Sequence, residues 1–321
     1  MTALTAWSFG ALYYMPLPSV AARWTLAMVF PAFVLAAFLL LKRRRAVAVF
    51  FVGVGVVLVC YLCLSPSHDR EWMKDVALLP HATFAGDRCT VHNVRNLEWH
   101  GPSECTPRYD TRTYDLSKLE GVDLILSYWD GNEGIAHVMH SFGFNDGSYL
   151  ALSVETRMEV GETYSPTAGF FRQFELIYVL ADERDLLGVR ARHRAEELYL
   201  YPARYTVEEA RTFLRGILNR VNEIHDRPVF YNAIAENCLT SMIPIFEEIR
   251  RDPPHFDIRV LLNGHLDEFA YEIGRLVADE SHGLPFDEMR RKHAVSPTVK
   301  RLPDDASFSK NLRAQLPRRT R

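Results

Sequence analysis

Residues Trp24–Leu41 and Ala46–Leu64 carry no charged side chain and are almost wholly apolar, and this pair of runs constrains the chain more than any other feature. At a rise of about 1.5 Å per residue, each run crosses a hydrocarbon layer of about 30 Å, whereas a buried soluble helix of that length normally keeps a polar face. Between them stands Lys42-Arg43-Arg44-Arg45. Cations packed into so short a loop stay cytoplasmic, so both ends of the helical hairpin are expected on the outer face of a bacterial inner membrane. Met1–Val20 lacks a basic leader and no small-residue cleavage pattern precedes Lys42, so the hairpin is expected to be retained. Pro31 should kink the first span, and Trp7–Met15 is too short to span and suits the interface.

This divides the chain into an outer N-terminal segment (1–23), a transmembrane hairpin (24–64), a juxtamembrane linker with Trp72 as an anchor (65–80) and a periplasmic domain (81–321). A net charge of −3 spread over both signs gives no reason to expect a nucleic-acid ligand. Cys60 and Cys63 fall in the second span, so Cys89, Cys105 and Cys238 reach the outer compartment. Three is odd in an oxidising space. If Cys89 and Cys105 pair, as two residues of a short, extended segment can, Cys238 is left as a free thiol; the plain alternative is that Cys238 is a small buried hydrophobe.

The periplasmic part reads as α+β. Thr83–Phe84, Cys89–Val94 and Val122–Tyr128 have strand composition, with breaks at Gly86-Asp87 and Gly101-Pro102. Asn145-Asp146-Gly147 between Ala136–Phe144 and Tyr149–Glu155 predicts a hairpin with a three-residue loop. In that register Phe142 faces Leu150, His140 faces Leu152 and Val138 faces Val154, which collects the large apolar side chains on one face; His137 then lies opposite Glu155 on the other. Phe174–Leu180 and Glu197–Tyr201 read as strands and Asp182–His193 as a charged helix. Thr206 and Glu209 form a capping box for a helix that ends before Pro228, and Leu239, Ile243, Phe246 and Ile249 mark another beginning near Asn237. The basic end, Lys310–Arg321, reads as solvated.

Cys238 stands where a loop enters that last helix, with Asn237 as its cap. Such a position favours a thiolate and offers free N–H groups to an oxyanion, although Glu236 works against the first and Pro244 disturbs the first turns. His137 is the natural base and Glu155 the natural group to orient it. The competing reading makes His137 structural and Glu155 a surface group; His140, on the apolar face, belongs to packing. Neither a Cys/His cluster of zinc spacing nor a glycine-rich phosphate loop occurs, so no metal and no cofactor is expected.

The strings Asn93-Val94-Arg95-Asn96, Arg112-Thr113-Tyr114-Asp115-Leu116, Ala136-His137, Ser153-Val154-Glu155-Thr156-Arg157, Gly161-Glu162-Thr163-Tyr164-Ser165, Phe171-Arg172-Gln173-Phe174, Tyr199-Leu200-Tyr201, Phe230-Tyr231-Asn232 and Asn237-Cys238 resemble the bacterial DUF4105 family, that of the Lnb N-terminal periplasmic domain, from about residue 70 to the end. The resemblance implies a permuted papain-like thiol fold, of the NlpC/P60 or lecithin:retinol acyltransferase-like kind, with an antiparallel sheet and packed helices. It also implies an acyltransferase: Cys238 as nucleophile, His137 as base and Glu155 as third residue, with Asn237 and Ser153 supporting them or the oxyanion. The substrates would be a membrane phospholipid as acyl donor and a lipoprotein or peptide amine as acceptor. A cell-envelope cysteine hydrolase and a non-enzymatic scaffold are the rival expectations.

Overall fold

The computed structural model describes residues 1–17, 19–129, 131, 133–249, 259, 263–277 and 283–317. Two helices are long and apolar enough to cross a membrane, α2 (Val20–Leu40) and α3 (Arg43–Leu62). They begin and end a few residues away from the apolar runs, because charge does not prevent helix formation: Arg43, Arg44 and Arg45 form the first turn of α3, leaving Leu41 and Lys42 to make the bend. Ser19 caps α2 through the Ala22 N–H, and Pro31 is accommodated inside it. Leu39, Leu40 and Val52 remain more than two-thirds exposed, an apolar surface that suits lipid and not water. The short apolar stretch near the N-terminus is α1 (Thr2–Tyr13), which packs against both long helices with Trp7 on Tyr61 and Tyr13 on Trp24.

Residues 65–80 are not a slack tether. Arg157 donates to the carbonyls of Val76 and Ala77 and lies 4.2 Å over the Trp72 ring, while Arg70 pairs with Glu175 at 2.9 Å. Trp72 is therefore taken up by the domain instead of standing free as a membrane anchor.

The domain is α+β, built on an eight-stranded sheet. In order of position its path is β1 (His81–Ala85), β2 (Arg88–Arg95), β9 (Glu175–Ala181), β8 (Tyr149–Arg157), β7 (His137–Phe144), β6 (Leu119–Tyr128) and β10 (Glu197–Ala203), with β5 (Tyr109–Asp115) also pairing β2. All neighbours are antiparallel except β2 and β9. A separate ribbon joins β3 (Glu98–Trp99) to β4 (Cys105–Thr106). The β7–β8 hairpin has the expected register, Phe142 with Leu150 and His140 with Leu152, and Gly147 closes its loop at φ +82°.

Both faces of the sheet are covered. On one, Val138, Phe142, Leu150, Leu152 and Val154 meet the apolar stripe of α6 (Val207–Asp226), which starts with the Thr206–Glu209 capping box. On the other, Met139, Ala151, Ile177 and Val179 pack under α5 (Glu183–Gly188), α10 (Ser296–Arg301) and α11 (Phe308–Arg313). The remaining short helices are α4 (Pro166–Phe170), α7 (Ile243–Ile249), α8 (Leu266–Glu272) and α9 (Phe286–Lys292). The basic end is half structural: Arg313 is drawn into the core, while 318–321 lie outside the described residues.

Candidate active site

Because successive strand residues alternate in direction, His137 leaves β7 on the face opposite Val138, and Ser153 and Glu155 leave β8 on that same face. The three converge. His137 Nε2 donates to Ser153 Oγ at 2.6 Å, and Ser153 Oγ donates to Glu155 Oε1 at 2.5 Å, so the hydroxyl bridges an imidazole and a carboxylate that are 3.4 Å apart. Glu155 Oε1 also accepts from Arg190 Nη2 at 2.6 Å. Arg190 is buried, and sits in a π-helical turn (Val189–His193) that continues α5; widening the helix there turns the guanidinium toward the sheet.

The Cys238 thiol lies beside the imidazole on the cavity wall. Burial acts against the charged imidazole, yet the Glu155 carboxylate and the neighbouring Cys238 outweigh it and raise His137 to about 9. Burial likewise disfavours the charge on Glu155, but His137 and Arg190 hold its carboxyl well below the usual range. The carboxylate therefore favours the charged form of the ring, whose Nε2 is tied from behind by Ser153.

Cys238 lies in a turn ahead of a single 3₁₀ turn (Thr240–Met242) that runs into α7, so it precedes the helical segment by a residue or two instead of sitting in its first α-helical turn. Asn237 does cap it: its Oδ1 accepts from the N–H groups of Leu239 and Thr240, both at 2.9 Å, and its Nδ2 donates to the Ala233 carbonyl. Those commitments make Asn237 a support for the turn, with one Nδ2 N–H spent on the Ala233 carbonyl. The Cys238 N–H donates to none of the described groups. Glu236 faces Arg220 at 3.6 Å, and Pro244 falls in the first turn of α7, where its missing N–H costs nothing.

Sequence reasoning missed two residues. Asn263 Nδ2 stands 3.6 Å from Cys238 Sγ, and its Oδ1 accepts from the Ala136 N–H, which fixes the amide so that the N–H₂ end faces the sulfur. Its neighbour Gly264 is obligatory, since a Cβ there would come within 2.1 Å of the Glu133 carbonyl. Arg190 is the other. Only a count of the charges buried around Glu155 could have called for it, and four arginines between residues 184 and 194 gave no basis for choosing.

Cys89 and Cys105 are not brought together; both are free thiols. Cys89 pairs with Tyr114 near one end of β2, whereas Arg95, six residues on, pairs with Tyr109, and Cys105 lies beyond that end. At about 3.3 Å per residue the separation is near 20 Å, against the roughly 6 Å between Cα atoms that a disulfide needs.

His137, Glu155, Arg190, Cys238 and Asn263 line one cavity of about 610 Å³, walled by Trp129, Tyr164 and Tyr231. Among the described residues no cluster of His, Cys, Asp and Glu is arranged to hold a metal ion. An ionisable sulfur, a held imidazole and converging N–H donors beside a void can accept and release an acyl group. His140, by contrast, is buried against Phe213 with its Nδ1 unpartnered, and burial lowers it to about 4, so it packs as a neutral ring.

No curated protein and no solved structure matches the chain. The family comparison does return a match, over a shorter stretch than the resemblance above implied. Residues 105–264, which run from β4 through His137 and Cys238 to the residue after Asn263, match the family model of the Lnb N-terminal periplasmic domain.

Proposed function

We propose that this chain is a membrane-anchored periplasmic thiol acyltransferase that moves an acyl chain from a phospholipid to an amine, with a lipoprotein N-terminus as the acceptor class. A periplasmic domain family and two apolar N-terminal helices are consistent with a two-pass inner-membrane protein whose C-terminal domain lies in the periplasm. The observation that carries the reading is that Cys238 lines one cavity together with an imidazole that Ser153, Glu155 and Arg190 hold from behind. A histidine on a strand facing a cysteine at a helical turn also supports the permuted papain-like disposition.

In the first half-reaction the Cys238 sulfur passes its proton to His137 and attacks the ester carbonyl. The Cys238 N–H and Asn263 Nδ2 face the oxygen that becomes negative. As the C–O bond breaks, His137 gives its proton to the departing lysophospholipid oxygen and the acyl group stays on sulfur as a thioester. In the second, the amine attacks the thioester, His137 takes its proton, the amide forms and the sulfur leaves. Ser153 and Glu155 keep the ring in one orientation while it carries the proton both ways.

The test is incubation of the purified chain with phospholipid labelled in its acyl chain. A labelled adduct on the wild type, absent from Cys238→Ala and discharged by an added lipopeptide amine, is the expected result. Discharge by water at the same rate with or without amine would make the protein a hydrolase. A thiol inert to both lipid and alkylating reagents would leave the scaffold reading in its place.

A further inference from the structure

We infer that the mouth of the Cys238 cavity is seated in the outer leaflet of the bilayer, through an apolar shelf made by Val160, Tyr164, Phe170 and Ile234. The level of the membrane interface is marked by Trp24 and Tyr61, at the ends of α2 and α3 from which the domain emerges, with Trp7 and Tyr13 of α1 packed on them. Two stretches of the domain are attached at that level. Tyr61 Oη donates to the Phe170 carbonyl at 3.3 Å, and the Arg172 guanidinium lies 4.6 Å over the Tyr61 ring. Phe171 stacks on Tyr14 and closes over Gly10 of α1, where a Cβ would come within 2.4 Å of its ring.

Both stretches run from there to the sulfur. Back along the chain from Phe170, Pro166 and Tyr164 line the cavity. Arg172 also covers Phe230, and the following residues Tyr231 and Ala233 line the cavity and pack on Gly169 of α4. A few residues thus separate the interface from the thiol on each path. The large side chains these stretches leave outside are Ile234 at 58% exposed, Val160 at 60%, Tyr164 at 44% and Phe170 at 36%, interspersed with the small Thr163 and Thr167. Apolar area held at the depth of the headgroup and acyl boundary partitions into it, so the lipid leaflet that α2 and α3 already cross is the occupant that covers this shelf. A peptide or a second copy of the chain would have to displace lipid to reach it.

The consequence is that an acyl ester enters the cavity from the leaflet without leaving the membrane, which rests on the acyl-transfer reading, whereas the placement itself is tested without turnover. The full chain is reconstituted in vesicles of phosphatidylethanolamine with a minority of phosphatidylglycerol, carrying a benzophenone amino acid at Ile234 or at Val207. Val207 is 47% exposed but lies by Asn145, at the far end of the hairpin from His137, about 24 Å away along β7. Irradiation is expected to yield phospholipid adducts at position 234 and none at 207. Equal yields, or none at 234, overturn the inference. As a second arm, Ile234→Glu should slow acylation of Cys238 by vesicle phospholipid at least tenfold and leave alkylation by a soluble thiol reagent unchanged. Unaltered acylation by vesicles overturns it too. Lipid adducts at 234 in a protein whose Cys238 takes no acyl group would keep the placement and refute the activity.

Discussion

The same sheet face carries two clusters assembled from the same parts. At one end Ser153, Glu155 and Arg190 stand behind His137; at the other Ser141, Glu183 and Asp123 meet Arg313, whose Nη2 lies 2.6 Å from both carboxylates. Each joins an arginine to carboxylate and serine, and each is largely buried. The difference lies in what remains after the charges are matched. Around Arg313 the carboxylates and the serine are spent on the guanidinium and α11 closes the site, while around Arg190 an imidazole and a thiol line an open void. Buried ion clusters hold this sheet together at both ends, and the end that carries His137 and faces Cys238 is the one left incomplete.

That contrast can be broken in several places. Its sharpest test is His137→Gln, which should slow acylation or alkylation of Cys238 by about 10²–10⁴-fold, as loss of a positioned base does, with the far-ultraviolet spectrum retained. Next comes the pair of arginine variants. Arg313→Met leaves two buried carboxylates against each other and should cost about 3–5 kcal/mol in denaturant unfolding while the folded fraction keeps its thiol reactivity within a few fold. Arg190→Met should slow Cys238 by about 10–10³-fold and shift its pH profile, because His137 and Glu155 then share their charge without the guanidinium. If Arg313→Met silences the thiol as strongly as Arg190→Met does, the two clusters are not functionally distinct. Smaller still is Asn263→Ala, expected to lower the acylation rate about tenfold or more while alkylation by a small reagent that forms no oxyanion is little changed.

A separate test, read in stability instead of rate, distinguishes two histidines on one strand. His137 is raised from about 6.5 to about 9, so the folded state binds its proton more tightly than the unfolded chain; the stability this brings is complete below pH 6.5 and is lost as pH rises through 9. His140 is lowered to about 4, so its contribution is complete above 6.5 and is lost as pH falls toward 4. Unfolding free energies of the wild type, His137→Gln and His140→Phe across that range should show the alkaline slope flattened by the first substitution and the acid slope by the second.

Much of this face was legible from residue order. An apolar face of Val138, His140, Phe142, Leu150, Leu152 and Val154 admits one register, and that register sets His137 across from Glu155 without any further information. The turn at Asn237 and the capping box at Thr206 were legible because both are local hydrogen bonds between near neighbours. Ser153 was named as a support, but that its hydroxyl would stand between ring and carboxylate depends on side-chain reach and not on spacing. Arg190 escaped because a π turn rotates it out of helical phase, and Asn263 because nothing periodic surrounds it. The candidate Cys89–Cys105 bond failed for a related reason: closeness along the chain says little when the intervening strands run past each other.

Arg313 comes 190 residues after Asp123 and 130 after Glu183, and its helix is the last one described. A chain made and exported from its N-terminus therefore presents the strands, both carboxylates and the thiol before their countercharge exists. Until that helix arrives, closing the sheet would force two like charges together in a dry place, so this end of the sheet closes only once α11 is in hand, and Cys238 sits in an unfinished fold until then.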